Sequence, residues 1–238
     1  MSADKIVVAL DVDSAPKAIE LVERLQSHVG AFKVGLELFN HVGVEIFASL
    51  TAAGADRIFY DAKLHDIPNT VARACRGVAR QALWMVNIHA SGGSRMIAAA
   101  REALDQTASA LEKRPPLLIA VTLLTSIAEH ELHGELMVQS SSANYVTKLA
   151  RMARDAGAQG VVASPHEIEA IRTACGPDFV IVTPGVRPIG SPEGDQRRTM
   201  TPGEAVERGA DYLVIGRPIT AAGDPVKAAQ QIAEDIAS

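Results

Sequence analysis

The stretch DAGAQGVVASPHEIEAI, residues 155–171, holds the period of the whole chain. Gly157 suits the left-handed position just past a helix end. GVVAS (160–164) is a short, β-branched apolar run of the length of a buried strand. Ser164-Pro165-His166-Glu167 then supplies a Ser cap, Pro at the first helical position and Glu in the capping-box position, which predicts the start of the next helix. The stretch therefore reads as helix end, strand and helix start.

The same phrase recurs along the chain. AAGAD (52–56) and RGAD (208–211) also place Gly just ahead of an apolar run. Eight such runs are present: IVVAL (6–10), AFKVG (31–35), RIFYDAK (57–63), MVNIHA (85–90), LLIAVTLL (117–124), GVVAS (160–164), FVIVTPGV (179–186) and YLVIG (212–216). Continuous apolar runs are what strands buried on both faces of a parallel sheet require. Helix signals lie between them. Asp13, Ser14 and Pro16 precede a helix whose Ile19, Val22 and Leu25 face inward, and Asp224-Pro225 opens the last helix. Eight βα units in 238 residues predict an α/β fold, a (β/α)8 TIM barrel forming a single domain over 1–238. The alternative is an open doubly wound sheet. That sheet would normally carry a Gly-rich turn after its first strand, where this chain has DVDSAP (11–16).

Composition narrows the function. With 47% hydrophobic and 21% charged residues, the chain is an ordinary globular sequence. A net charge of −5 argues against a general nucleic-acid binder. No apolar run approaches the ~20 residues of a membrane span, and the first residues do not read as a signal peptide, so the expected location is the cytoplasm. Cys75 and Cys175 stand far apart with no paired motif and are expected as reduced thiols. Neither a Gly-x-Gly-x-x-Gly nor a phosphate-loop motif occurs, so no nucleotide cofactor is indicated. His65, His89, His130, His133 and His166 do not group as metal ligands, and no metal is expected.

In a (β/α)8 barrel the active site lies at the C-terminal ends of the strands. Those ends carry Asp11, Lys33, Asp61 with Lys63, Asn87 with His89, Thr122 with Thr125, Gly185-Val186-Arg187 and Gly216-Arg217. Strand periodicity puts Asp61 and Lys63 on the barrel face, with Tyr60 and Ala62 toward the helices. Asp11 and Lys33 come from neighbouring strands and converge with them. Alternating sign makes such a cluster tolerable, and carboxylates beside lysines favour the ammonium form. A fixed ammonium is a proton donor and stabilises developing negative charge. A structural salt-bridge network would explain any one of these residues, but not four of them at the functional mouth. Gly185-Val186-Arg187 and Gly216-Arg217 follow strands seven and eight, the usual phosphate position of this fold, where glycine admits the backbone and Arg forks around phosphate oxygens. Between them RPIGSPEGDQRRTMTP (187–202) reads as a lid over the site, from which Gln196 can reach in.

These segments carry a resemblance. ALDVD (9–13), FKVGLELF (32–39), FYDAKLHDIPNTV (59–71), VNIHASGG (86–93), VTLLTS (121–126), TPGVRPIGSPEGDQRR (183–198) and IGRPIT (215–220) resemble the orotidine 5′-phosphate decarboxylase family over the whole chain. The resemblance implies a carboxy-lyase that converts orotidine 5′-monophosphate to UMP, the last step of de novo pyrimidine synthesis. It implies Lys63 as the donor of a proton to C6, Asp61 beside the substrate carboxylate, Lys33 in the array and at the ribose, and Asp11 on a ribose hydroxyl. It implies Asp66, Ile67 and Thr70 as residues given to the partner subunit's site, with Asp66 counted among the catalytic groups. Thr125 is implied as a pyrimidine contact, and Arg187, Gln196, Gly216 and Arg217 as phosphate and lid residues. The family works as a homodimer without metal or organic cofactor. The nearest rival, a magnesium-dependent sugar-phosphate aldolase on a similar barrel, shares D-x-K-x-x-D but typically has Glu two residues before the first Asp. Here that place is Phe59, which cannot ligate a hard cation. A non-catalytic phosphate-binding barrel is a second rival, and it gives no reason for the Asp–Lys array.

Overall fold

The computed structural model describes residues 2–188 and 200–238. Eight parallel strands close into a barrel in sequence order: β1 (Ile6–Ala9), β2 (Ala31–Val34), β3 (Ile58–Leu64), β4 (Met85–His89), β5 (Leu117–Val121), β6 (Gly160–Val162), β7 (Val180–Pro184) and β8 (Tyr212–Ile215). The helices surround them: α1 (Ala15–Leu25), α2 (Leu36–Val42), α3 (Glu45–Ala52), α4 (Pro68–Arg80), α5 (Ser94–Ala110), α6 (Glu129–Gly134), α7 (Ser142–Asp155), α8 (Ile168–Cys175), α9 (Pro202–Glu207), α10 (Arg217–Thr220) and α11 (Pro225–Ala237). The open-sheet alternative is therefore excluded, because β1 pairs with both β2 and β8.

The recurrent glycines act as expected. Gly54, Gly157 and Gly209 have φ of +104°, +97° and +106°, so each takes the left-handed turn that ends a helix before the next strand. Asp224 caps α11 through its side chain, which accepts from the backbone N–H groups of Val226 and Lys227, both at 3.1 Å. The Ser164 expectation holds in its residues, with Ser164 at the N-cap, Pro165 in the first turn and Glu167 in the capping-box position, but the element they open is not yet the α-helix. Pro165–Glu167 forms a 3-10 turn, and α8 begins only at Ile168. The Glu167 carboxylate accepts from the Ser164 N–H at 3.0 Å, but the Glu167 N–H donates to the Ser164 carbonyl rather than to its hydroxyl. The tighter turn uses the backbone acceptor first.

The apolar residues fall into two shells. Val7, Ala31, Phe59, Met85, Ile119 and Val182 fill the barrel interior. A larger shell between strands and helices includes Val8, Phe32, Ile58, Val86, Leu118 and Ile181, the alternate residues of the same strands. At the N-terminal end of the barrel, Trp84 and Tyr212 meet edge to face at 4.8 Å and the Arg57 guanidinium lies 5.0 Å from the Trp84 ring, which closes that end. The open end is the C-terminal mouth. Cys75 and Cys175 are free and buried, as expected from their spacing, and burial pushes the Cys75 thiol up to about 12. Among the described residues no helix is long and apolar enough to cross a membrane.

Candidate active site

The C-terminal mouth opens into a cavity of about 490 Å³, in the range of small-molecule sites. One wall is charged. From β1 to β3 a chain of alternating sign runs through it: Asp11 Oδ1 to Lys33 Nζ at 3.1 Å, Lys33 Nζ to Asp61 Oδ2 at 3.4 Å, and Asp61 Oδ1 to Lys63 Nζ at 2.7 Å. The Lys33 side chain is 9% exposed and that of Lys63 is 30% exposed, so Lys63 is the ammonium that faces the open space. Burial pushes the Asp61 carboxyl up. The two ammonium groups, and hydrogen bonds from Lys63 and Asn87, outweigh that and hold it below the ordinary carboxylate value. The opposite wall is apolar, with Val121, Leu123, Val162 and Val186.

Lys63 reaches this position by an unexpected route. Simple alternation along β3 predicts that Asp61 and Lys63 share a face, and Tyr60 and Ala62 do pack against the helices. The β3–β4 ladder, however, slips. Tyr60 pairs with Val86 and Leu64 with Ile88, so Asp61, Ala62 and Lys63 stand opposite the single residue Asn87. Lys63 itself has φ of +48°, a left-handed conformation that costs a non-glycine residue roughly 1–2 kcal/mol. A bulge, not a regular strand, aims the lysine. Gly35 also shapes the array, since a Cβ there would lie 2.8 Å from Lys33 Nζ and would displace the tip of that flexible side chain.

The remaining expected residues divide into three groups. Thr125, Arg187, Gly216 and Arg217 line the cavity, as do Asp11, Lys33, Asp61 and Lys63. Arg187 Nε is buried with no hydrogen-bond partner among the described residues, a donor suited to an anion. Asp66, Ile67 and Thr70 are exposed and do not line the cavity, and the Asp66 carboxylate accepts from the neighbouring Ile67 N–H at 2.6 Å. Gln196 and most of the expected lid lie outside the described residues. The ends of that segment meet beside the cavity, where the Arg187 N–H donates to the Met200 carbonyl at 2.9 Å. His89 packs against His65 with ring centroids 5.4 Å apart, outside the cavity lining. Burial first, then His65 and Lys63, hold its imidazole below the ordinary histidine range against the pull of Asp61, so it is neutral at pH 7.

Two residues of the site had no role assigned from the sequence: Glu37, which was not singled out, and Asn87, which was named only as a polar residue at a strand end. Glu37, in the first turn of α2, lines the cavity mouth, and nothing in its neighbourhood marked it. Asn87 carried a readable signal, a polar residue within an apolar strand, and it is 1% exposed.

The depressed Asp61 value sets an acid limit on stability. Its folded value lies below the unfolded one, so its contribution is complete above about pH 4 and is lost as pH falls through the folded value. Urea unfolding from pH 5 to pH 3 should show a shallower loss of stability in Asp61→Asn than in the wild type. Equal losses would contradict the ion-paired Asp61.

Fold and cavity together define a (β/α)8 enzyme-type barrel with a lysine–carboxylate array facing an arginine-bearing rim. The family "Orotidine 5′-phosphate decarboxylase / HUMPS" matches residues 4–232. The orotidine 5′-phosphate decarboxylase of Moorella thermoacetica is 53% identical over 233 residues, covering 98% of this chain and 92% of that protein. That of Synechocystis is 47% identical over 237 residues and covers both chains fully. The crystal structure of the Lactobacillus acidophilus enzyme superimposes with a TM-score of 0.86 at 38% identity, covering 98% of this chain and 99% of that one. The chain belongs to the orotidine 5′-phosphate decarboxylase / HUMPS family.

Proposed function

We propose that this protein decarboxylates orotidine 5′-monophosphate to UMP, with Lys63 as the acid. The observation that carries this reading is the continuous Asp11–Lys33–Asp61–Lys63 chain along one wall of a cavity whose rim holds Arg187 and Arg217. The phosphate is bound at Arg187, Gly216 and Arg217. Asp11 and Lys33 take the ribose hydroxyls. The pyrimidine lies against the apolar wall near Thr125, with its carboxylate beside Asp61. The bond from C6 to the carboxylate breaks and its electron pair stays on C6 as carbon dioxide leaves. That pair lies in the ring plane, out of reach of the π-system, so the site itself must stabilise it. The Lys63 ammonium does so and gives its proton to C6, and the amine regains a proton from solvent.

The phosphate is remote from the reacting carbon, so its binding energy can position the base. Arg217→Ala should raise KM for the phosphorylated substrate about 10- to 100-fold, the worth of one charge-assisted contact, with a smaller fall in kcat. An unchanged KM would contradict the phosphate assignment. No observation favours the aldolase reading. Phe59 is 1% exposed beneath the array, where the metal-dependent relative needs an oxygen ligand.

The working unit is a homodimer in the cytoplasm. Asp66, Ile67 and Thr70 complete the partner's site. Their exposure, and their position outside the cavity of their own chain, support this reading.

A further inference from the structure

Asn87 makes two short hydrogen bonds at the point where β3 leaves its ladder. The Lys63 N–H donates to Asn87 Oδ1 at 2.7 Å, and Asn87 Nδ2 donates to Asp61 Oδ1 at 2.6 Å. One buried amide therefore supplies the acceptor that the slipped ladder withholds from Lys63, and a donor to the carboxylate that pairs with the Lys63 ammonium. The amide suits this place because it offers a donor and an acceptor on adjacent atoms, which neither a carboxylate nor an apolar group does. We propose that Asn87 is a positioning residue: it holds the left-handed turn at Lys63 and the orientation of Asp61, and so aims the ammonium at the reacting carbon. It does not line the cavity, so it acts through these two residues and not on the substrate. The inference rests on the roles proposed above for Lys63 and Asp61.

The charged and titratable groups around Asn87 are Asp61 and Lys63 on β3, Lys33 reaching Asp61 from β2, and His89 further along β4 with His65 against it. The β5 residue opposite Asn87 is the apolar Ile119. Replacement by aspartate is therefore informative. Asp at position 87 could still accept from the Lys63 N–H, but it would set a second carboxylate against Asp61. Two carboxylates in such contact do not both ionise readily. With a proton on the new residue the donor to Asp61 is restored, and without it the pair repels.

The test measures kcat, KM and UMP inhibition for Asn87→Ala and Asn87→Asp, with the wild type alongside. Asn87→Ala should lose about 10²-fold in kcat, as a displacement of about 1 Å can cost, while KM and UMP inhibition stay within about threefold. The ratio of Asn87→Asp to wild-type kcat should be highest at low pH and fall as pH rises. A folded Asn87→Ala protein with kcat within about threefold of wild type overturns the proposal. So does an Asn87→Asp ratio that is flat with pH, and this variant decides the matter if the alanine protein does not fold. Exchange of the Lys63 amide hydrogen gives a reading independent of turnover. It should be at least about tenfold faster in Asn87→Ala, which has no acceptor for the Lys63 N–H, than in the wild type, and equal exchange counts against the proposal. If the wild type itself turned nothing over, the decarboxylase reading would fall, and the exchange result would still decide whether Asn87 holds Lys63.

Discussion

Lys63→Ala is expected to lose at least about 10⁴-fold in kcat while remaining folded and able to bind UMP. Two effects disappear together. Proton donation by a positioned acid typically contributes 10²–10⁴-fold, and a cation aimed at developing charge contributes about 10²–10³-fold more. The fold should survive, because Lys63 lies at the open mouth with its side chain 30% exposed, and the barrel interior beneath is filled by Phe59, Met85 and Ile119. Binding of UMP should survive because Arg187, Gly216 and Arg217 sit on other strand ends. Loss of the ammonium also leaves Asp61 with Lys33 and Asn87 as partners, so the buried carboxylate is not stranded. Stopped assays of carbon dioxide release, with circular dichroism on the same sample, check this. Turnover near the wild-type rate would remove Lys63 from the centre of the chemistry.

The second large effect concerns the proposed dimer. Lys63→Ala and Asp66→Asn homodimers should each be nearly inactive, yet an equimolar mixture allowed to exchange subunits should regain about a quarter of the wild-type activity. In a two-fold dimer with shared sites, half of the mixed population is heterodimer and each heterodimer has one site with both residues intact. The geometry motivates the experiment. Asp66 lies only three residues beyond Lys63, yet its carboxylate accepts from the Ile67 N–H in an exposed loop and does not enter the cavity of its own chain. No recovery on mixing would mean that each chain builds its own site.

The barrel was legible because each βα unit announces itself locally. Gly54, Gly157 and Gly209 take the left-handed turns that their phrases predicted, and β-branched runs fall on strands within one to three residues. Strand ends were less legible. LLIAVTLL reads as one run, but β5 stops at Val121, and the Thr122 hydroxyl turns away to donate to the Val162 carbonyl. At SPHE the sequence offered both a hydroxyl cap and a backbone acceptor, and only the three-dimensional turn decides between them. The array residues Asp11, Lys33, Asp61 and Lys63 were all readable as charges at apolar strand ends. The bulge that aims Lys63 was not, because no Gly, Asn or Asp marks the left-handed position. It is a lysine held there by an asparagine on the next strand.

The most direct test is the pyrimidine absorbance of orotidine 5′-monophosphate mixed with the protein in the presence of excess EDTA. The account predicts a steady fall in absorbance, with UMP and carbon dioxide formed in equal amounts and no change when magnesium is added. Absorbance that stays constant, or that falls only once magnesium is supplied, would contradict it.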